Sequence, residues 1–141
     1  MAATLIDSDV LIDILTQDPA WSSWANEALV EALEDGAVLV NQIVFAEISP
    51  GFPTAEECEW ALDVQGIERV PLPWPAAFLA GRAFVSYRRR GGRKRSPLPD
   101  FFIGAHAAAE GLRLLTRDAG RYRTYFPTVE VIAPEPSGPP G

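Results

Sequence analysis

One stretch near the start of the chain decides the fold: Leu5-Ile6-Asp7-Ser8-Asp9-Val10-Leu11-Ile12-Asp13. The apolar residues that lead to Ile6 predict a short buried strand, which ends at Asp7 because strands disfavour aspartate. Ser8 and Asp9, which follow, are residue types that begin helices. A carboxylate is therefore expected at the carboxyl end of a core strand. Ligands bind outside these strand ends in open parallel α/β sheets, so position alone makes Asp7 a candidate site residue.

The rest of the chain repeats this alternation of strand and helix. Further short buried strands are predicted at residues 37–41, 67–70, 112–116 and 129–132. The pair Asp18-Pro19 predicts the start of a helix, with Asp18 as its N-cap. Such alternation is typical of βαβ crossovers, and hence of an α/β fold with a parallel sheet and helices on both faces. We expect one domain over residues 1–133 and a disordered Pro/Gly-rich tail over residues 134–141.

Composition and charge limit the class of protein. The chain has 141 residues, a formal net charge of −7 and one cysteine, Cys58, which is expected to be buried and inert. One cysteine cannot form an internal disulfide, and no apolar run approaches the roughly 20 residues of a membrane helix. We therefore expect a cytoplasmic protein that does not bind membranes.

The basic residues are concentrated in one segment of this acidic chain. Seven of the twelve fall in it, namely Arg82, Arg88, Arg89, Arg90, Arg93, Lys94 and Arg95. Such a cluster favours contact with an anionic partner, and the alternative is a solvated loop in which arginine serves solubility.

Four acidic residues occupy equivalent positions relative to the predicted strands. Asp7 follows the first strand, Glu47 lies on the helix after the second, Asp100 lies at the start of a later helix, and Asp118 follows the fourth strand. Right-handed crossovers bring these positions to one edge of the sheet. Two carboxylates about 4 Å apart repel by roughly 4 kcal/mol at an effective dielectric near 20, so the four must share protons or hold a cation. Oxygen ligands favour Mg²⁺ or Mn²⁺.

Each acid also has a purely structural interpretation. Asp7 could cap the next helix, Glu47 could be a surface residue, Asp100 could compensate a helix dipole, and Asp118 could form a turn. These four interpretations are individually reasonable, but together they are a less economical explanation than one metal site.

Other polar residues near these positions receive secondary roles. Ser8 and Thr116 could orient a metal-bound water. Asp9 and Asp13 are expected to be exposed helix charges, with Asp9 as an optional outer ligand. The single histidine, His106, is expected to be a hydrogen-bonded core or edge residue rather than a ligand.

Four segments in order resemble the PIN domain family, and in particular the VapC toxins of bacterial type II toxin-antitoxin pairs. They are the opening stretch, Ala46-Glu47-Ile48, the segment from Pro99 to Ala107, and the segment from Leu114 to Tyr122. The resemblance implies a three-layer sandwich with a five-stranded parallel sheet in the order 3-2-1-4-5. It also implies a Mg²⁺- or Mn²⁺-dependent ribonuclease, a homodimer, and inhibition by a VapB-type antitoxin.

The resemblance assigns roles to individual residues. It implies that Asp7, Glu47, Asp100 and Asp118 form the family's acidic quartet. Ser8 and Thr116 then match the hydroxyl after the first acid and the polar residue before the last. The substrate would be tRNA, ribosomal RNA or mRNA. The chain departs from the family in its basic segment, which is denser than the fold requires and, beside the crevice, could bind the RNA backbone through Arg88, Arg89, Arg90, Arg93, Lys94 and Arg95.

Two other functions are compatible with parts of the pattern. The sequence Asp7-x-Asp9 also fits a haloacid-dehalogenase-like phosphatase, but that chemistry needs a lysine facing the pair, and Lys94 is the only lysine. A non-catalytic PIN-like module that binds a partner through its carboxylates is the second alternative.

Overall fold

The computed structural model describes residues 2–95 and 97–135. Most of the expected disordered tail, residues 136–141, lies outside the described residues. Within the described part the strands are β1 (Thr4–Ile6), β2 (Val38–Val40), β3 (Ile67–Arg69), β4 (Arg113–Leu115) and β5 (Val131–Ile132). The helices are α1 (Ser8–Leu15), α2 (Ser22–Asp35), α3 (Gln42–Ile48), α4 (Ala55–Val64), α5 (Trp74–Arg89), α6 (Pro99–Glu110) and α7 (Gly120–Tyr125), and a 3₁₀ turn spans Ser49–Gly51.

The five strands form one sheet in the order β3-β2-β1-β4-β5. Every strand pair is parallel, and β1 is central because Thr4 pairs with Val38 on one side and with Arg113 on the other. The expected α/β fold and strand order are therefore confirmed. Parallel strands need both faces covered, and β1 meets this requirement, since Thr4, Leu5 and Ile6 are all fully buried.

The strand order places a topological switch point beside β1. The chain leaves β1 toward β2 on one side of the sheet, whereas it leaves β4 toward β5 on the other. The Asp7 N–H donates to the Leu115 carbonyl at 2.9 Å, which extends the β1–β4 pairing to the carboxyl ends of both strands. Since the connections diverge there, a crevice opens between the segments that follow β1 and β4.

Two local predictions were wrong. Helix α2 begins at Ser22 rather than at Pro19, because the Asp18 carboxylate accepts the Ala20 and Trp21 N–H groups and so forms a turn. Asp13 is buried rather than exposed, and its carboxylate lies 3.1 Å from the Arg117 guanidinium.

Cys58 is buried in α4, as expected. Among the helices of the described part, none is long and apolar enough to cross a membrane.

Candidate active site

Asp7 lies at the centre of the site, and both of its carboxylate oxygens accept hydrogen bonds. Oδ1 accepts the Ser8 N–H at 2.8 Å, so Asp7 is also the N-cap of α1. Oδ2 accepts two hydroxyls, from Thr116 at 2.9 Å and from Tyr122 at 2.8 Å. Burial raises the pKa of Asp7 to about 6, with a further rise from the Asp9 charge, and the two hydroxyls oppose this rise.

Glu47 reaches the site from the last turn of α3. Its Oε1 accepts a hydrogen bond of 3.0 Å from the Ser8 hydroxyl, so Ser8 joins Glu47 to the segment that carries Asp7. Burial raises the pKa of Glu47, and the charges of Asp7 and Asp100 raise it further. The electrostatic coupling of these three carboxyls indicates that they share one region of negative charge.

Asp100 lies in the first turn of α6, where the helix dipole favours a carboxylate. Its Oδ1 lies 3.4 Å from the Tyr122 hydroxyl, and its Oδ2 lies 3.4 Å from Arg121 Nη1. Burial raises the pKa of Asp100, while the Arg121 charge lowers it and the Asp118 charge raises it. Asp100 is therefore the link between the buried Asp7 and the outer residues of the crevice.

The segment after β4 supplies the other side of the crevice. The Asp118 N–H donates to the Thr116 hydroxyl at 3.2 Å, and the Asp118 side chain is exposed. The Arg117 N–H donates to the Asp9 carboxylate at 3.2 Å. Asp9 is half-buried and so is not the freely exposed helix charge that we expected, and burial raises its pKa. It faces the same segment as Asp7.

A buried hydrogen bond joins the helices that carry Glu47 and Asp100. Asn41 Nδ2 lies 3.0 Å from His106 Nδ1, and Asn41 Oδ1 accepts the N–H groups of Ile43 and Val44 as the N-cap of α3. Because the amide oxygen is already an acceptor, Nδ2 donates to Nδ1, and the neutral ring carries its proton on Nε2. The expected role of His106 as a hydrogen-bonded core residue is confirmed, and burial lowers its pKa.

The basic segment lies at the end of α5 and in the loop of residues 90–95 that follows it. Arg88 Nη1 donates to the carbonyls of Gly92 and Lys94, at 3.3 and 2.9 Å, and so helps to shape this loop. The Arg90 guanidinium lies 5.4 Å from the centre of the Tyr125 ring. The side chains of the segment are exposed at Arg88, Arg89, Arg90, Arg93, Lys94 and Arg95.

Sequence reasoning missed the residue that connects the site. Tyr122 is 1% exposed, and its hydroxyl lies between Asp7 and Asp100. From the sequence, Tyr122 is only the last residue of a segment that resembles the PIN domain family, and no role is assigned to it. The available signal was its spacing of four residues from Asp118, which places both near the start of the helix after β4.

The carboxylates are more widely spaced than the sequence predicted. Within residues 2–95 and 97–135, no three acidic, histidine or cysteine side chains form a ready-made cluster for a metal ion. Instead, hydroxyls separate the acids: Ser8 lies between Asp7 and Glu47, and Tyr122 lies between Asp7 and Asp100. This open set of oxygen donors fits Mg²⁺ or Mn²⁺, because such ions keep several waters and need only one or two carboxylates.

Comparison with known proteins identifies the class to which this fold and site belong. The sequence profile of the PIN domain matches residues 4–127. The chain belongs to the PIN domain family. It is similar to Ribonuclease VapC10 of Mycobacterium tuberculosis, with 34% identity over 138 residues, which cover 97% of this chain and 95% of that protein.

Solved structures give the same fold. VapBC2 from Rickettsia felis, bound to a DNA fragment from its promoter, has a TM-score of 0.72 at 17% identity and covers 94% of this chain and 99% of the matched chain. VapBC-1 from nontypeable Haemophilus influenzae has a TM-score of 0.69 at 13% identity, with 93% and 97% covered. At such identities these structures support the fold alone.

Proposed function

We propose that this chain is a VapC-type ribonuclease toxin that hydrolyses RNA phosphodiester bonds with Mg²⁺ or Mn²⁺ and is neutralised by a VapB-type antitoxin. The observation that carries the proposal is the placement of Asp7, Glu47 and Asp100 at the switch point of the sheet, where Ser8 contacts both Asp7 and Glu47 and the Tyr122 hydroxyl contacts both Asp7 and Asp100. Similarity to a VapC ribonuclease along 97% of the chain supports the substrate class. Membership of the PIN family sets the phosphatase alternative aside.

The four acids have distinct roles in this proposal. Asp7, Glu47, Asp100 and Asp118 would hold the ion, which supplies an activated water and neutralises charge on the phosphate. Asp7 is fixed by hydrogen bonds to both oxygens, so it is the preorganised ligand of the set. Asp118 is exposed, so it can meet substrate as well as the ion.

Three residues would support these ligands without binding the ion themselves. The Ser8 hydroxyl holds Glu47, and the Thr116 hydroxyl holds Asp7 at 2.9 Å. Asp9 fixes the segment after β4 by accepting the Arg117 N–H. Outer partners of this kind set the orientation of a metal ligand, and their removal typically weakens metal binding or activity by about 10- to 100-fold.

The basic segment would bind the RNA backbone. A chain of net charge −7 repels RNA on average, so attraction must come from a local concentration of positive charge. The exposed side chains of Arg88, Arg89, Arg90, Arg93, Lys94 and Arg95 provide one, and only four residues of the sequence separate Arg95 from Asp100.

The proposed partners follow from the same site and comparisons. The matched structures include VapBC assemblies, so a VapB-type antitoxin is the inhibitor that we propose. Asp100 already pairs with the guanidinium of Arg121, so a basic antitoxin residue has a precedent for binding there. We also propose a homodimer that acts in the cytoplasm on tRNA, ribosomal RNA or mRNA.

The test is RNA cleavage by purified, antitoxin-free protein. Fluorescently labelled RNA should be cut in the presence of Mg²⁺ or Mn²⁺, and excess EDTA should abolish cutting. Asp7→Asn should lose activity, whereas Glu31→Gln, a change of the same chemistry at an exposed position of α2, should retain it. Absence of cleavage with both metals would overturn the ribonuclease proposal and favour the non-catalytic binding module.

A further inference from the structure

The Tyr122 hydroxyl is the only group that contacts the side chains of two of the proposed metal ligands among the hydrogen bonds of the described residues. It donates to Asp7 Oδ2 at 2.8 Å and lies 3.4 Å from Asp100 Oδ1. A phenol carries one proton, and the shorter contact identifies Asp7 as its acceptor. The ring is buried, so the hydroxyl has no freedom to leave this position without moving α7.

The hydroxyls of Tyr122 and Thr116 act on the same oxygen of Asp7. Oδ2 accepts both, while Oδ1 accepts only the Ser8 N–H. A carboxylate oxygen has two lone pairs, so Oδ2 is saturated and Oδ1 keeps one lone pair free. The two hydroxyls therefore fix the plane of the carboxylate and leave one oxygen available to a cation.

On the basis of the function proposed above, we propose that Tyr122 is a positioning residue of the metal site, which holds Asp7 in its ligating orientation. This role needs the hydroxyl and not only the ring. A ring without the hydroxyl would fill the same space but leave Asp7 held by Thr116 and Ser8 alone. The ion would then have to order Asp7 when it binds, and its affinity would fall.

Tyr122→Phe tests this role, and Tyr125→Phe is the matched control on the same helix. Tyr125 packs against Phe101 with ring centres 5.3 Å apart, and its hydroxyl makes no hydrogen bond within the described part of the chain. Both variants lose one phenolic oxygen from α7, but only the first loses a contact with proposed ligands.

The measurement is Mn²⁺ affinity, taken from the electron paramagnetic resonance signal of free Mn²⁺ without RNA. We expect the Kd of Tyr122→Phe to rise about tenfold, as is typical when the hydrogen-bond partner of a ligand is removed. Tyr125→Phe should match the wild type. Equal Kd values for wild type and a folded Tyr122→Phe would overturn the positioning role while leaving the proposed function intact. No Mn²⁺ binding by the wild type would overturn both.

A measurement on the unmodified protein covers the case in which Tyr122→Phe does not fold. The ¹³Cζ resonance of a tyrosine responds to hydrogen bonding of its hydroxyl, and Mg²⁺ is diamagnetic. Titration with Mg²⁺ should shift the ¹³Cζ resonance of Tyr122 and leave that of Tyr125 in place. If both resonances stay unchanged while Mg²⁺ binds, Tyr122 does not contact the metal ligands, and the inference fails.

Discussion

Asp7→Asn should change how the stability of the metal-free protein depends on pH. The pKa of Asp7 is raised from 3.8 to about 6 in the folded protein, so between these values the folded state binds more protons than the unfolded state. The free energy of unfolding therefore falls as pH rises through this window. At about 1.4 kcal/mol per pH unit, the full loss is about 3 kcal/mol. The asparagine side chain does not titrate, so the variant lacks this loss.

The pH range in which this loss can be measured is limited by solubility, because the protein carries little net charge near its isoelectric point of about 4.6. Between pH 5 and 7.5 the same linkage gives a loss of about 1.4 kcal/mol, roughly half of the total. The charges of Asp9 and Asp100 enlarge the difference between wild type and variant, since a neutral side chain at position 7 also removes its repulsion of these two carboxylates. The asparagine NH₂ must face either the Ser8 N–H or the hydroxyls of Thr116 and Tyr122, which would then have to accept instead of donate. The lost hydrogen bonds cost about 1–3 kcal/mol, but this penalty does not vary with pH.

The assay is urea unfolding of wild type and Asp7→Asn in EDTA, followed by tryptophan fluorescence at several values of pH. The free energy of unfolding of the wild type should fall relative to that of the variant by at least about 1.4 kcal/mol from pH 5 to 7.5. A constant difference across this range would refute the argument, because it would show that the Asp7 carboxyl is not destabilised by burial.

Three further predictions concern the helices that carry the site and the basic loop. Gly104→Ala should lower the free energy of unfolding by about 1–2 kcal/mol, because a Cβ there would clash with the buried ring of Phe126. Gly81→Ala has open space around the new Cβ and should raise the free energy of unfolding by about 0.5–1 kcal/mol. A change of the same sign in both variants, measured by urea unfolding, would contradict this. Asn41→Ala should cost about 2 kcal/mol in the same assay, since it removes a helix cap and a buried hydrogen bond, and a loss below about 0.5 kcal/mol would show that neither matters. Lys94→Glu should weaken RNA binding, measured by fluorescence anisotropy, and should lower the slope of log Kd against the logarithm of the salt concentration by about 1. An unchanged slope would exclude this loop from the RNA contact.

The parallel sheet and the edge that carries the site were accessible from the sequence for a physical reason, whereas the strand order was implied by the resemblance to the PIN domain family. Short apolar runs that end in a polar residue mark where buried strands leave the core. Asp7 after β1 and Thr116 after β4 both show this pattern. Right-handed crossovers then leave little choice about which edge these residues share. From the sequence, Thr116 has only a supporting role beside the acids, and in the structure its hydroxyl donates to Asp7 at 2.9 Å.

The contacts within the site could not be predicted in the same way. Tyr122 reaches Asp7 from 115 positions away, and Asn41 reaches His106 from 65 positions away. Each contact depends on how a helix is rotated about its axis against its neighbour, and the apolar periodicity defines that rotation only coarsely. The burial of Asp13 was missed for a related reason, because its partner Arg117 belongs to a distant segment.

The central claim is that acids gathered at one edge of the sheet bind a divalent cation. A crystal structure of the antitoxin-free protein grown with millimolar Mn²⁺, with anomalous diffraction recorded at a wavelength where manganese scatters, tests it most directly. The account predicts an anomalous peak in contact with the carboxylates of Asp7 and Asp100. Anomalous density only at other places, with both carboxylates ordered and contacting no ion, would contradict it.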